Sequence, residues 1–390
     1  MVRTLSLLIA VLFLLADPET AVAQLRRVAA PTPTGANPVG TLSLRLVDSA
    51  RSDPFHFIGG KRELLVRFWY PAAPAQACRL ADYASPKVWT YLSQTSGIPL
   101  PAVTTNSCLG PPIAGGVHPV ILFTHGYTGM LTDSTFIFED LASRGYVVAS
   151  MGHTYETTAV EFPDGQVITS VFGSYLAPGT LRVDHSSLRL ARSVRLADAR
   201  FVLDELQRLN TAKDSAFAGR LDLSRVGVMG HSLGGEIAVT SLERDLRLRA
   251  AVSLDGAISP ATTAGTSKPV LLVSAGREQW SLEECQLWNS LRGRRLAIKL
   301  KGADHFTPSD AVWLFHSVPG MAAAVGSMGR ETTIAALRNY IAAFFDANLR
   351  GEPSSPLLSG TSPNIPDAIV TTQPQELCGS KTITATGGLQ

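Results

Sequence analysis

The chain has 390 residues, of which 45% are hydrophobic and 17% charged, and its formal net charge is +2. That is ample material for a large core, and the charge is too balanced to suggest a nucleic-acid partner. Neither a P-loop nor G-x-G-x-x-G is present, which removes the common nucleotide-binding motifs.

Residues 1–23 read as a signal peptide. Arg3 gives a positive start, Leu5 to Ala16 is an apolar run short for a bilayer span, and Ala21-Val22-Ala23 fits an A-x-A cleavage site. An uncleaved anchor is the alternative. The expected location is secreted or periplasmic, after cleavage near Ala23. Cys78, Cys108, Cys285 and Cys378 then suggest two disulfides, with three connectivities open. Closure of Cys78 on Cys108 would staple a breaker-rich segment, and Cys285 with Cys378 would pin the tail. Free thiols are the bland alternative.

Residues 24–40 are rich in Pro, Ala and Thr and are expected to be a flexible lead-in. The catalytic domain is expected over 41–350. Thr41 to Asp48 and Glu63 to Tyr70 read as an antiparallel pair at one sheet edge. Residues 71–116 hold many breakers and read as an insertion. His118 to His125 is a nearly continuous apolar run, as a strand buried on both faces requires. Asp133 to Arg144 predicts a helix ended by Gly145, and Tyr146 to Ser150 the next strand.

The stretch from Tyr155 to Val183 is irregular, with a turn at Pro163-Asp164-Gly165. Ser186 to Asn210 has helical apolar spacing, and its arginines and acids are assigned to a solvated face. Further strands are expected at Leu248 to Leu254, Pro269 to Ser274 and Leu296 to Leu300, then a helix from Glu331 to Leu349. Residues 351–390 read as a loosely ordered tail. Alternating strands and helices imply an α/β fold with a mostly parallel sheet covered on both faces.

Gly230-His231-Ser232-Leu233-Gly234 fits G-x-S-x-G between a strand ending at Met229 and a helix from Glu236. A serine on so sharp a turn is strained, and the flanking glycines admit close neighbours. Ser232 is therefore the expected nucleophile, with a structural turn serine as the alternative. A nucleophilic serine needs a base and an acid to orient it. Downstream histidines are His305 and His316, and His305, in a loop after the last core strand, is the better placed. His231 precedes the turn and is expected to point elsewhere. For the acid, Asp255 ends the strand after the elbow, Glu278 follows the next strand, and both remain open. Asp304, next to His305 in the chain, is poorly placed to bond its ring. The oxyanion donors expected are the N–H groups of Leu233 and Tyr127, the latter in Thr124-His-Gly-Tyr-Thr-Gly129. His153 and Glu156 superficially offer metal ligands but lack a second pair, so no metal and no cofactor are expected.

Phe123-Thr-His-Gly-Tyr-Thr-Gly, Asp140-Leu-Ala-Ser-Arg-Gly-Tyr-Val-Val-Ala, Gly230-His-Ser-Leu-Gly-Gly235, Ser253-Leu-Asp-Gly and Gly302-Ala-Asp-His305 recur in this order. Together they resemble the platelet-activating factor acetylhydrolase family (plasma and isoform II enzymes) over roughly Leu64 to Leu349. The resemblance implies an α/β-hydrolase fold and calcium-independent hydrolysis of short or oxidised acyl chains from phospholipids, with transient contact at a membrane surface. That family places its acid at the end of the strand after the elbow, which favours Asp255 over Glu278. The resemblance thus implies Ser232, Asp255 and His305 as triad, with Tyr127 and Leu233 as oxyanion donors. Where close relatives carry a tryptophan two residues past the acid, this chain has Ala257. A small-molecule ester or phospholipid is the expected substrate, and a cutinase-like polyester hydrolase or a non-catalytic binding module are the rival readings.

Overall fold

A computed structural model describes residues 27–55, 59–74, 77–176, 179–256, 265–276, 280–315, 322–372 and 378. The expected signal peptide, Ala257, Glu278 and His316 lie outside these. In chain order the strands are β1 (Val28–Ala29), β2 (Val39–Ser52), β3 (Lys61–Pro71), β4 (Val103–Thr104), β5 (Ser107–Leu109), β6 (His118–Thr124) and β7 (Val147–Gly152). They continue as β8 (Ala159–Glu161), β9 (Val167–Thr169), β10 (Leu221–His231), β11 (Leu248–Leu254), β12 (Val270–Ser274), β13 (Arg295–Leu300) and β14 (Ala368–Thr371).

Ten of the described strands form one sheet, in the order β14-β13-β12-β11-β10-β6-β7-β3-β2-β5. From β13 to β7 the neighbours run parallel, and β14 and β3 pair antiparallel at the two ends of that block. A parallel strand with helices on both sides must be apolar on both faces. In β6, Ile121 and Phe123 enter the core cluster on one side, and Val120 and Leu122 the cluster on the other. The unbroken apolar run in the sequence has this cause. The expected antiparallel pair is β2 with β3, but β5 pairs with β2 outside it, so the pair is one strand in from the edge.

Helix ends follow local chemistry. The helix Thr135–Ser143 is shorter than Asp133 to Arg144 because Gly145, at φ 95°, reverses the chain. Its N–H reaches Ala142 O at 2.9 Å and that of Tyr146 reaches Leu141 O at 3.1 Å, a Schellman end. The long helix His185–Thr211 starts on Asp184, whose carboxylate accepts from the N–H groups of Ser186 and Ser187. Helix Arg330–Phe345 runs into a π turn, Asp346–Arg350, before Gly351.

Three stretches are more ordered than their composition suggests. Within the expected flexible lead-in, Val28 and Ala30 donate to Ala102 O and Thr104 O at 2.9 and 2.8 Å, and Arg338 donates to Pro31 O and Thr32 O, each at 2.8 Å. Extended Pro-rich backbone leaves its carbonyls open to a distant donor, and no local pattern signals one. The 71–116 insertion contributes β5 to the sheet and a helix, Pro86–Ser96, begun by Pro86 and the Ser85 side chain. Beyond Gly351 the chain returns as β14 against β13, with Ala368 fully buried, so the tail is not loosely ordered as far as residue 372.

Cys78 pairs with Cys108 and Cys285 with Cys378, across 30 and 93 residues of chain. Closing loops of these lengths restricts the unfolded chain, which in the chain-entropy account stabilises by about 3–5 kcal/mol each. Non-reducing peptide mapping is expected to recover the Cys78–Cys108 peptide. A peptide joining Cys78 to Cys285 would contradict this pairing.

Candidate active site

Strand β10 ends at His231 and helix Leu233–Arg244 follows at once, with Ser232 at φ 54°, ψ −122° between them. A non-glycine residue rarely takes this conformation, and here it lifts Ser232 Oγ clear of the backbone. The turn is tight enough that a Cβ on Gly230 would lie 2.2 Å from Gly234 O, and one on Gly234 1.9 Å from Thr124 O. Both glycines are therefore required by close backbone approach.

Ser232 Oγ stands 3.0 Å from His305 Nε2, and His305 Nδ1 stands 2.7 Å from Asp255 Oδ2. Asp255 follows β11, is 4% exposed and also has positive φ, 44°. Its Oδ1 accepts the Ala275 N–H at 2.9 Å, and its own N–H donates to Val273 O at 2.7 Å. The carboxylate is thus fixed from the neighbouring strand, with Oδ2 turned to the imidazole. Asp304 does not bond the ring; its Oδ1 accepts the N–H of His305 at 2.6 Å.

The loop after β6 lies against the nucleophile, where a Cβ on Gly126 would be 3.5 Å from Ser232 Cβ. Neither the Leu233 N–H nor the Tyr127 N–H has an acceptor among the described residues. Leu233 opens a helix, where free N–H groups favour negative charge. Tyr127 and Leu233, the expected oxyanion donors, belong to one buried apolar cluster.

His231 departs from expectation. It does not point elsewhere: its Nε2 meets the backbone O of His305 at 2.7 Å, with the two ring centroids 4.9 Å apart. Burial, followed by the nearby His305, pulls its pKa down to about 4, so the neutral ring donates to that carbonyl. The long helix holds the second surprise. Arg195 and Asp198, assigned to a solvated face, are fully buried. Arg195 pairs with Glu156 and donates to the carbonyls of His125 and Gly126. His153 bonds Asp198 and Thr124 at 2.9 Å each. His153 and Glu156, the superficial metal ligands, are thus engaged by other side chains.

A cavity of about 150 Å³ opens on Ser232 and His305. Trp89, Leu92 and Leu100 of the insertion, with Tyr175, Phe306 and Phe315, make its wall apolar, and Asp133 and Asp310 also border it. Asp310 accepts from the N–H groups of Thr135 and Phe136 and from Trp313 Nε1, while Asp133 accepts from Met130 N at 2.7 Å. Burial raises both pKa values, Asp133 to about 7 and Asp310 to about 6, and the Asp310 charge adds to the shift at Asp133. Between about pH 4 and 7 the folded state retains protons that the unfolded chain releases, so these groups make stability fall as pH rises. His125, His153 and His231, held neutral by burial, act in the opposite sense. The readout is therefore a difference. Asp133→Asn is expected to gain stability relative to wild type between pH 5 and 8 in urea unfolding. A difference independent of pH would contradict the assignment.

The family described as platelet-activating factor acetylhydrolase, isoform II, matches residues 62–164, and PET hydrolase-like proteins match residues 181–316. A solved ferulic acid esterase from Streptomyces cinnamoneus is 34% identical, with a TM-score of 0.71 over 88% of this chain and 98% of its own. A probable 1-alkyl-2-acetylglycerophosphocholine esterase of Arthroderma benhamiae is 31% identical over 140 residues, 36% of this chain and 32% of its own length. The platelet-activating factor acetylhydrolase of Cavia porcellus is 25% identical over 68% of this chain and 67% of its own. The chain is thus similar over part of its length to the platelet-activating factor acetylhydrolase family and has the α/β-hydrolase fold. It matches about a third of the length of the Arthroderma relative and about two thirds of that of the Cavia enzyme. Among the described residues, no helix is long and apolar enough to cross a membrane.

Proposed function

We propose that the protein is an exported, cofactor-independent serine hydrolase of carboxylic esters, with Ser232, His305 and Asp255 as its triad. The single observation that carries this reading is the continuous contact from Ser232 Oγ through His305 to Asp255, 3.0 and 2.7 Å. In the proposed reaction His305 Nε2 takes the Ser232 proton as Oγ attacks the ester carbonyl. The N–H groups of Tyr127 and Leu233 hold the oxyanion. Its collapse expels the alcohol, which receives the proton from His305, and water activated by the same nitrogen releases the acid. Asp255 stays ionised and keeps the Nδ1 proton facing it.

The substrate class follows from the cavity. Its apolar wall, built partly by the insertion, suits a small ester or a phospholipid acyl group better than a polymer chain lying across an open cleft. The PET hydrolase-like match supports the polyester reading as the second one. A non-catalytic role is disfavoured because all three triad residues are present and in contact. The two disulfides support export to an oxidising compartment.

A 4-nitrophenyl ester series, run beside a short-chain phospholipid and a polyester film, tests the reading. With Ala257 in place of an indole, kcat/KM is expected to rise from acetyl to at least butyryl, about 1 kcal/mol of transition-state binding per methylene. Ala257→Trp should return the optimum towards acetyl. An acetyl optimum unchanged by Ala257→Trp would show that other residues shape the acyl site. Turnover of the film alone would favour the polyester reading.

A further inference from the structure

The mechanism leaves the buried Arg195–Glu156 ion pair unused. Arg195 has no accessible surface, and neither has Glu156. Nε of Arg195 donates to Glu156 Oε2 at 2.5 Å, and Nη2 donates to Oε1. Beyond Glu156, the guanidinium lies 3.4 Å from Thr124 Oγ1 and 3.3 Å from His125 Nδ1, and its shorter contacts go to backbone. Nη1 donates to His125 O and Nη2 to Gly126 O, the latter at 2.9 Å. Gly126 O also accepts the Gly129 N–H at 2.9 Å and lies 2.7 Å from His125 Nδ1. Burial and the Arg195 charge hold His125 neutral, so Nδ1 donates there.

The carbonyl of the Gly126–Tyr127 peptide is therefore bound by three donors. A peptide is planar and trans, so its C=O and N–H point in opposite directions. Fixing Gly126 O on the Arg195 side fixes the Tyr127 N–H on the other, where it has no acceptor among the described residues and can meet an oxyanion. A peptide that follows a glycine is on its own freer to flip than one that follows a residue with a Cβ. A rigid fork that holds two successive carbonyls removes that freedom, and a lysine cannot reproduce its geometry.

We propose that the Arg195–Glu156 pair is a positioning element for the oxyanion hole, holding the Tyr127 N–H in the orientation that stabilises the tetrahedral intermediate. Arg195 supplies the carbonyl contacts, and Glu156 orients the fork and neutralises its charge, which full burial of the guanidinium demands. This rests on the ester-hydrolase reading of Ser232. It assigns these residues no contact with substrate.

The test separates positioning from general damage. Arg195→Lys keeps the charge beside Glu156, and the double variant Arg195→Met/Glu156→Gln removes both charges together. Each is compared with wild type on a 4-nitrophenyl alkanoate and on its thionoester, in which sulfur replaces the carbonyl oxygen. Sulfur is a larger and poorer acceptor and gains little from the hole. In whichever variant retains its melting transition, kcat for the oxygen ester should fall about 100-fold with KM changed by less than about threefold, as loss or misplacement of one donor predicts. The thionoester rate should fall less than about fivefold, so the oxygen-to-sulfur ratio drops by more than about tenfold. Equal losses on both esters in a folded variant would overturn the proposal and leave the hydrolase reading intact. Wild type that hydrolyses neither ester and leaves Ser232 unlabelled by a fluorophosphonate would overturn the reading beneath it.

Discussion

Asp255→Asn is expected to lower kcat by about three to four orders of magnitude while leaving the melting transition in place. The geometry gives the reason. Oδ1 of Asp255 receives the Ala275 N–H, so asparagine keeps its carbonyl oxygen there and turns its NH2 group to His305 Nδ1. An NH2 group donates, so Nδ1 must accept, and the imidazole proton moves to Nε2. That nitrogen then faces Ser232 Oγ with a hydrogen and cannot take the serine proton. Steady-state kinetics and a melting curve check this together. Glu278→Gln should change kcat far less, and if it proves the crippling substitution the acid has been misassigned.

Gly234→Ala is the second large effect, on stability rather than on proton transfer. The added methyl would sit 1.9 Å from Thr124 O and 2.7 Å from His125 O, backbone atoms at the end of β6 and the start of the oxyanion loop. Neither can rotate away, so the elbow and the loop must separate. A loss of about 3 kcal/mol or more is expected in urea unfolding, together with loss of Ser232 labelling. Gly329→Ala is the control, because its methyl would meet nothing nearer than 3.8 Å. Equal stabilities for the two variants would mean that the elbow is looser than described.

The parts of this site that could be read in the sequence are those carried by local chemistry. Ser232 is marked by glycines whose absent Cβ atoms admit Thr124 and Gly234 backbone, and the strand-to-helix change around it is plain in the hydrophobic pattern. His305 follows from being in a loop after the last parallel strand. Asp255 is less legible, because in the sequence Glu278 follows the next expected strand and only the family resemblance separates the two. Arg195 was misread as solvated. On a helix with acids and arginines throughout, nothing local distinguishes the position that meets Glu156 and the His125 carbonyl, both supplied by distant segments. His231 was misread for the same reason, since its partner is a backbone carbonyl 74 residues away. The helix Leu282–Ser290 carries a usable signal that was passed over, the reciprocal Ser281 and Glu284 capping box. The tail was judged by its Pro, Ser and Thr content, yet Ala368–Thr371 has the apolar, β-branched residues of an edge strand.

The central claim is that Ser232 forms a covalent acyl intermediate assisted by His305 and Asp255. Rapid mixing with excess 4-nitrophenyl butyrate, followed by acid quench and mass mapping, tests it most directly. The account predicts a burst of about one equivalent of nitrophenol and a butyryl adduct on the peptide containing Ser232, both absent from Ser232→Ala. Turnover by Ser232→Ala at a rate near that of wild type, or an adduct on another residue, would contradict it.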